Sequence, residues 1–435
     1  MNNNRRSNKI IFITISFLFC ALVILIIGKN IRSYNDIKSI NNEINSAKSS
    51  KEFEIWVIDG GLAYVLDEVI ETYRNKYPDT RFIVKSFDSS IYNDTILSAA
   101  ATNSLPNMFY TWGDTELKEL VKLGIVEDIT LVTESRHVKG NMVEGALNGY
   151  TLDNKVYGMP VFGWNLVLYC NKELFEKIQS EYPSNYEELI TVVNKFRKYG
   201  IPALTISGQE AWTQSFYYMA FALEGGSVED NIKVTEDFRF FSAPQFVDAA
   251  KKIENISKLD MWINDYKHIS AAESVGEFTY GNCAMLLNGS WVSGDIDSNK
   301  YNLCSEDVDV VRFPGVSDQG VAGYSDGFVL SKDNIKDNNN ELMYIEMMQD
   351  ISKCAVIEKG MGIPVYKDQS LEETEFETLK KCEDIFPKRK RHSAYDKLLP
   401  AELKEGYNEA LIKLVDGDIS ADEFVEILSK YETKR

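Results

Sequence analysis

Histidine is nearly missing from this sequence: His137, His268 and His392 are the only three among 435 residues. The six cysteines, Cys20, Cys170, Cys283, Cys304, Cys354 and Cys382, form no CxxC pair and have no histidine at ligand spacing. A structural zinc site needs such clusters, so neither a metal nor a cofactor is expected. Most of the cysteines sit in apolar runs and read as small buried hydrophobes, and their spacing assigns no disulfide. Positive charge is also in deficit, with 47 Lys and Arg against 66 Asp and Glu and a formal net charge of −19. That balance repels a phosphate backbone and argues against a nucleic-acid partner. The one basic run, Lys388-Arg389-Lys390-Arg391 beside Pro387, reads as a solvated loop or helix end. No internal repeat occurs, and the one low-complexity stretch is the Asn-, Ser- and Lys-rich segment 30–50.

What is present is a packed protein. A hydrophobic fraction of 44% with 12% aromatics supports a globular chain, and 435 residues exceed one ordinary core, so two lobes are expected. From Ile10 to Gly28 the chain is apolar except for Thr14 and Ser16 and is bounded by Lys9 and Lys29. As a helix it would rise about 28 Å, close to the thickness of a hydrocarbon core. It is longer than a secretory h-region and lacks a small-residue cleavage site. Phe17-Leu18-Phe19-Cys20 departs from a bacterial lipobox because bulky Phe19 precedes the cysteine. An uncleaved anchor is therefore expected ahead of lipidation at Cys20, with the bulk of the chain exported to the extracellular face of the membrane behind a flexible tether.

Along the soluble chain, Phe53–Ile58 reads as a strand broken by Asp59-Gly60-Gly61. Leu62, Val65, Leu66, Val69, Ile70, Tyr73 and Tyr77 recur at helical spacing, and Arg81–Phe87 is a second strand. A helix over Ile91–Ala101 and a strand at Pro106–Tyr110 continue the alternation, which predicts an α/β fold with a mostly parallel sheet. Capping boxes are expected at Ser184 with Glu187 and at Ser420 with Glu423. In Tyr280–Trp291, YGNCAMLLNGSW, a buried strand is expected to stop at Asn288-Gly289, where the glycine bends the chain and sets Trp291 at an edge.

Ligands of open α/β sheets bind beyond the carboxyl ends of strands, and Asp59, Trp112 and Asp114 lie just past such ends. Gln209-Glu210-Ala211-Trp212 is read as a loop before an aromatic helix beginning near Gln214, with a carboxylate two residues from an indole. Sugars need that combination, because their C–H faces pack on aromatic rings while their hydroxyls take acidic partners. Trp291 completes the set; the alternative is that the tryptophans are core and the acids surface. Gly323-Tyr324-Ser325-Asp326-Gly327 matches the nucleophile elbow of hydrolases, yet the strand read at Phe328–Leu330 follows it where a helix should. With only His392 as a possible base, hydrolase chemistry ranks third among the readings, and the chain is not expected to be an enzyme.

These segments resemble the family 1 extracellular solute-binding proteins, the ligand-capturing components of ABC importers, from about Glu52 to the C-terminus. The resemblance is carried by Pro106–Tyr110 with Trp112, Lys155–Pro160 and Leu168–Phe175, where the family's Tyr-Asn-Lys is interrupted by Cys170. Gly225-Gly226, Gly281–Met285 through Asn288–Trp291, and Gly362–Val365 continue it in order. The resemblance implies a two-lobed periplasmic-binding-protein-like fold with hinge crossovers and a ligand cleft between the lobes. The expected bounds are 1–29 for the anchor, 30–51 for the tether, 52–112 with 283–330 for one lobe, and 113–282 with 331–435 for the other. It is similar to the maltodextrin-binding branch in placing an acid and an aromatic at Glu210 and Trp212, Asp59 after the first strand, Asp114 beside the first crossover and Trp291 past the second. Trp164 at the lobe junction and Asp326 join the expected ligand set. Two departures stand out, since Asp59 is followed by two glycines rather than a lysine and the lipobox is missing. The implied partners are a carbohydrate, an oligosaccharide in particular, and an ABC permease; the runner-up is a sensory module that docks a membrane kinase or receptor.

Overall fold

The computed structural model describes residues 51–224, 233–234, 238–259, 261–298, 302–316, 321–332, 338–385 and 394–430. The expected anchor and tether up to residue 50, Cys20, Gly225-Gly226, the basic run and His392 lie outside the described residues. Among the described residues no helix is long and apolar enough to cross a membrane.

The described residues fall into two compact units, Lys51–Phe53 with Tyr73–Ile83 and Glu54–Thr72 with the described residues from Val84 to Lys430. In the described part of the first, the Phe82 ring packs against Phe53 and Tyr73 at centroid distances of 5.9 and 6.3 Å. Arg81 pairs with Glu52 at 2.8 Å, an exposed ion pair that contributes little. The second unit carries every candidate site residue.

The strands are β1 (Lys51–Ile58), β2 (Thr80–Phe87), β3 (Met108–Thr111), β4 (Thr151–Leu152), β5 (Lys155–Val156), β6 (Gly158–Asn171), β7 (Leu204–Thr205), β8 (Met285–Gly289), β9 (Val308–Val311) and β10 (Ala322–Leu330). One sheet runs in the order β2-β1-β3-β10-β6-β8-β7 with β9 also on β6, while β4 and β5 pair by themselves. The expectation of a mostly parallel sheet is corrected here. β1 with β3 and β7 with β8 are parallel, but β10 is antiparallel to β3 and to β6, and β6 is antiparallel to β8 and β9. Local β-α-β units give parallel neighbours, whereas β10 returns from far along the chain and inserts between β3 and β6.

Strand β6 is what the sheet turns on. All fourteen of its residues are buried, as befits a strand covered on both faces. Its first part, Gly158–Asn165, pairs with β10, and its second part, Leu166–Asn171, pairs with β8 and β9. Strand β6 is thereby shared by both parts of the sheet, with β10 along one half and β8 and β9 along the other. The register of β10 on β6 shifts at Gly323/Asp326 and again at Asp326/Gly327. A bulge re-aims side chains locally, and this one falls on Ser325 and Asp326.

The helices used below are α1 (Gly61–Lys76), α2 (Tyr92–Ala101), α3 (Asp114–Lys122), α4 (Tyr186–Lys198), α5 (Ala211–Glu224), α6 (Ala271–Thr279), α7 (Tyr395–Leu398) and α8 (Ala421–Ser429). Leu62, Val65, Leu66, Val69, Ile70 and Tyr73 form the buried stripe of α1 that their spacing predicts. Asn185 rather than Ser184 caps α4, accepting from the Glu188 amide at 2.9 Å. The box is displaced by one residue, with Ser184 bonding Glu188 instead of Glu187, since Asn caps as well as Ser. Ser420 and Glu423 form the expected box on α8, and a box missed in the sequence, Ser270 with Glu273, opens α6.

Candidate ligand-binding site

Helix α5 begins at Ala211, earlier than its sequence reading, so Trp212 stands in the first helical turn and not in a loop. Every residue of α5 from Thr213 to Leu223 is buried, the composition of a helix that is apolar all round. Trp212 is the exception and stays half-buried. Phe216, one turn further on, packs beside it with ring centroids 5.3 Å apart, as i and i+4 neighbours do. Trp291 joins both, 6.1 Å from Trp212 and 6.1 Å from Phe216, and Trp164 of β6 closes the group at 5.4 Å from Trp291. Edge-to-face pairs of this kind contribute about 0.5–1.5 kcal/mol each beyond burial.

Gly289 explains why Trp291 lies where it does. The glycine has ordinary extended angles, φ −74° and ψ 158°, so the sharp bend expected from the sequence is corrected. What requires glycine is the indole folding back over it: a Cβ at residue 289 would come within 2.0 Å of the Trp291 ring. Gly323 does the same for Trp164, where a Cβ would meet the ring at 2.9 Å. Each indole is thus seated on a bare stretch of backbone.

The group continues through polar contacts. Trp164 Nε1 donates to Ser325 Oγ at 3.0 Å, Ser325 Oγ donates to Asp326 Oδ2 at 3.2 Å, and Tyr110 OH donates to Asp326 Oδ1 at 2.5 Å. Successive strand residues ordinarily point to opposite faces, and the bulge in β10 is what lets Ser325 and Asp326 bond each other. Burial pushes the Tyr110 phenol well above its ordinary value, and the Asp326 carboxylate adds to the shift. Tyr110 in turn packs edge-on against Trp112 at 5.1 Å. Trp112, Asp326, Trp164, Trp291 and Trp212, all expected from the sequence, therefore form one connected run of side chains. Ser325 is 3% exposed within a strand, so the arrangement of a nucleophile elbow is absent at Gly323–Gly327.

Three acids complete the picture differently. Glu210 stands beside Trp212, and its Oε2 accepts from Ser207 Oγ at 2.5 Å and from the Ala271 amide at 2.8 Å, tying its loop to the start of α6. Asp114 opens α3 with a left-handed φ of 48° and faces Gly149, where a Cβ would lie 3.3 Å from its oxygens. Asp59 is exposed just past β1, and among the described residues no hydrogen bond or ion pair links its carboxylate to the aromatic run. Phe216 and Tyr110 were missed in the sequence, and Ser325 was weighed there only as part of a nucleophile elbow. Of the missed pair, only Phe216 had a signal, its i+4 spacing from Trp212.

Glu116, in the first turn of α3, is the electrostatic anomaly of the site. Burial pushes its carboxyl up to about 7, against the ammonium groups of Lys397 and Lys404 and hydrogen bonds from the Trp112 amide and Thr111. The folded protein holds this proton more tightly than the unfolded chain, so stability falls as pH rises from 4.5 through about 7. Replacing Glu116 by Gln is expected to remove that loss, raising stability at pH 8 over pH 5 by up to about 3 kcal/mol relative to the parent. Urea denaturation at both pH values checks it; an unchanged difference between pH 5 and pH 8 would contradict the assignment.

Glu68, Cys354 and Glu358 bring possible ligand atoms within 4.8 Å of one another. Glu68 is paired with Lys359 at 2.6 Å, and burial pushes the Cys354 thiol up to about 12. A protonated thiol beside an engaged carboxylate is a poor cation site. Cys170, Cys283, Cys354 and Cys382 are buried free thiols, and Cys304 is half-buried.

The profile of the family described as bacterial extracellular solute-binding protein matches residues 68–344. A multiple sugar-binding protein of Streptococcus mutans is 23% identical over 208 residues, which is 46% of this chain and 47% of that protein. The chain thus spans about half the length of that curated relative. A solved structure described in connection with xylan utilization by Caldanaerobius polysaccharolyticus superimposes with a TM-score of 0.80 at 20% identity, covering 87% of this chain and 99% of the other. A chitin oligosaccharide binding protein superimposes with a TM-score of 0.74 at 18% identity, over 84% and 93%. At these identities the structural likeness establishes the α/β fold.

Proposed function

We propose that this chain, which belongs to the bacterial extracellular solute-binding protein family, captures a carbohydrate, an oligosaccharide in particular, and delivers it to the permease of an ABC importer. The observation that carries the reading is the joined run Trp212–Trp291–Trp164–Ser325–Asp326–Tyr110–Trp112, with Glu210 at one end. Indole faces supply apolar contact for sugar C–H groups and carboxylates accept from hydroxyls, and this run with Glu210 holds both kinds of group. The names of the relatives, sugar-binding and chitin oligosaccharide binding, support the same ligand class.

The proposal extends to architecture. Segments 52–112 with 283–330 and 113–282 with 331–435 would act as two lobes that close on the ligand, the energy of closure coming from contacts made to both. Asp59, exposed past β1, and Asp114, at the start of α3, are assigned to the ligand's other side in the closed state. Residues 10–28 would hold the protein at the outer face of the membrane.

A thermal-shift screen over neutral oligosaccharides, peptides and polyamines tests the ligand class, because a bound ligand raises the melting temperature by mass action. An oligosaccharide at about a hundredfold its Kd should add about 2.7 kcal/mol of stability. Stabilisation by peptides or polyamines alone would overturn the carbohydrate reading.

A further inference from the structure

Trp112 differs from the other indoles of the site in what lies against it. Tyr110 and Tyr92 meet it at nearly right angles, with interplanar angles of 87° for both. The ammonium of Lys397 stands 4.0 Å from the centre of its ring, well inside the range at which a cation is held by an aromatic face. The short helix α7 that carries Lys397 is fastened on both sides. Thr115 Oγ1 donates to the Leu398 carbonyl at 2.8 Å, and the Tyr395 amide donates to Met219 Sδ at 3.3 Å beneath a fully buried Tyr395 ring. Lys397 is therefore presented to Trp112 by a fixed segment, and its placement is a property of the fold.

We propose that Lys397 is a specificity-determining residue of this site. Its ammonium covers one face of the Trp112 ring, so a neutral glycan stacks on that face only by displacing it. This inference rests on the carbohydrate reading above. A ring face holds one partner at van der Waals distance. Displacement breaks a partly desolvated cation–π pair, which corresponds to about a five- to thirtyfold penalty in affinity. The consequence is length selection: short glycans that occupy Trp212 and Trp291 are unaffected, and longer ones that extend to Trp112 meet the penalty.

Titration calorimetry of the full chain with neutral malto- and chito-oligosaccharides of two to six units tests this. Lys397→Ala is expected to bind the longer members about five- to thirtyfold more tightly, with the shortest unchanged. Lys397→Arg, which keeps a cation on the ring, should return the parental affinities, and Trp112→Ala in the Lys397→Ala background should abolish the gain. Without ligand, the tryptophan emission difference between parent and Lys397→Ala should vanish in a Trp112→Phe background, which reports the cation on the ring itself. Affinities of Lys397→Ala that are unchanged or lower at every length, where the parent binds, would overturn the inference and leave the carbohydrate reading standing. Absence of glycan binding by parent and variants alike would overturn that reading and this inference together.

Discussion

Trp212→Ala and Trp291→Ala are each expected to weaken oligosaccharide binding about tenfold or more while the protein stays folded. Both indoles are half-buried, so each keeps surface to offer a ligand. Truncating an aromatic anchor at the centre of a binding surface costs more than about 1.4 kcal/mol, which is that factor of ten. For Trp212 the helix behind it is sealed from Thr213 to Leu223, so the anchor can be cut away without opening the core. For Trp291 the half-buried ring lies on Gly289 at the end of β8 beside Trp164 and Phe216, so its removal loses some packing without emptying a fully buried position. Calorimetry with a glycan found in the thermal screen reads the effect. Unchanged affinity in both variants would remove the aromatic wall from the binding site.

Trp164→Ala should act on stability instead. Trp164 is 2% exposed, it is seated on Gly323 in the middle of the sheet, and its Nε1 bonds Ser325. Removing a buried tryptophan costs about 3–5 kcal/mol through reduced burial and the cavity left behind. The hydrogen bonds that join Ser325, Asp326 and Tyr110 are left without their support at the same time. A fall in the urea midpoint is expected for this variant and not for Trp212→Ala. If Trp164→Ala matched the parent in stability, the buried indole would not be part of the framework that positions Asp326. The sequence placed Trp164 among ligand groups, and a stability loss in this variant would assign it to their support.

Local physics was legible in the chain and long-range placement was not. The stripe of α1 and the box at Ser420 and Glu423 could be read because each depends on residues within a turn or two of one another. Trp112 and Trp291 stood out because each follows a strand legible in the sequence, and Trp212 because a carboxylate lies two residues before it. The antiparallel place of β10 and the bulge at Ser325 and Asp326 depend on which strand comes back from far along the chain, and no local pattern encodes that. Gly289 was noticed for the wrong reason, since a turn and a close ring approach look alike in sequence. Lys397 on Trp112 was invisible for the same cause as β10: 285 positions separate the two, and only the folded chain brings them together.

The central claim is that a sugar is held on the Trp212–Trp291 wall. The most direct measurement is a crystal structure of the protein with the oligosaccharide that most raises its melting temperature. The account expects sugar-ring carbons packed about 4 Å from the Trp212 or Trp291 ring, with hydroxyls donating to Glu210 or Asp326. A ligand bound elsewhere, with both indoles bare, would contradict it.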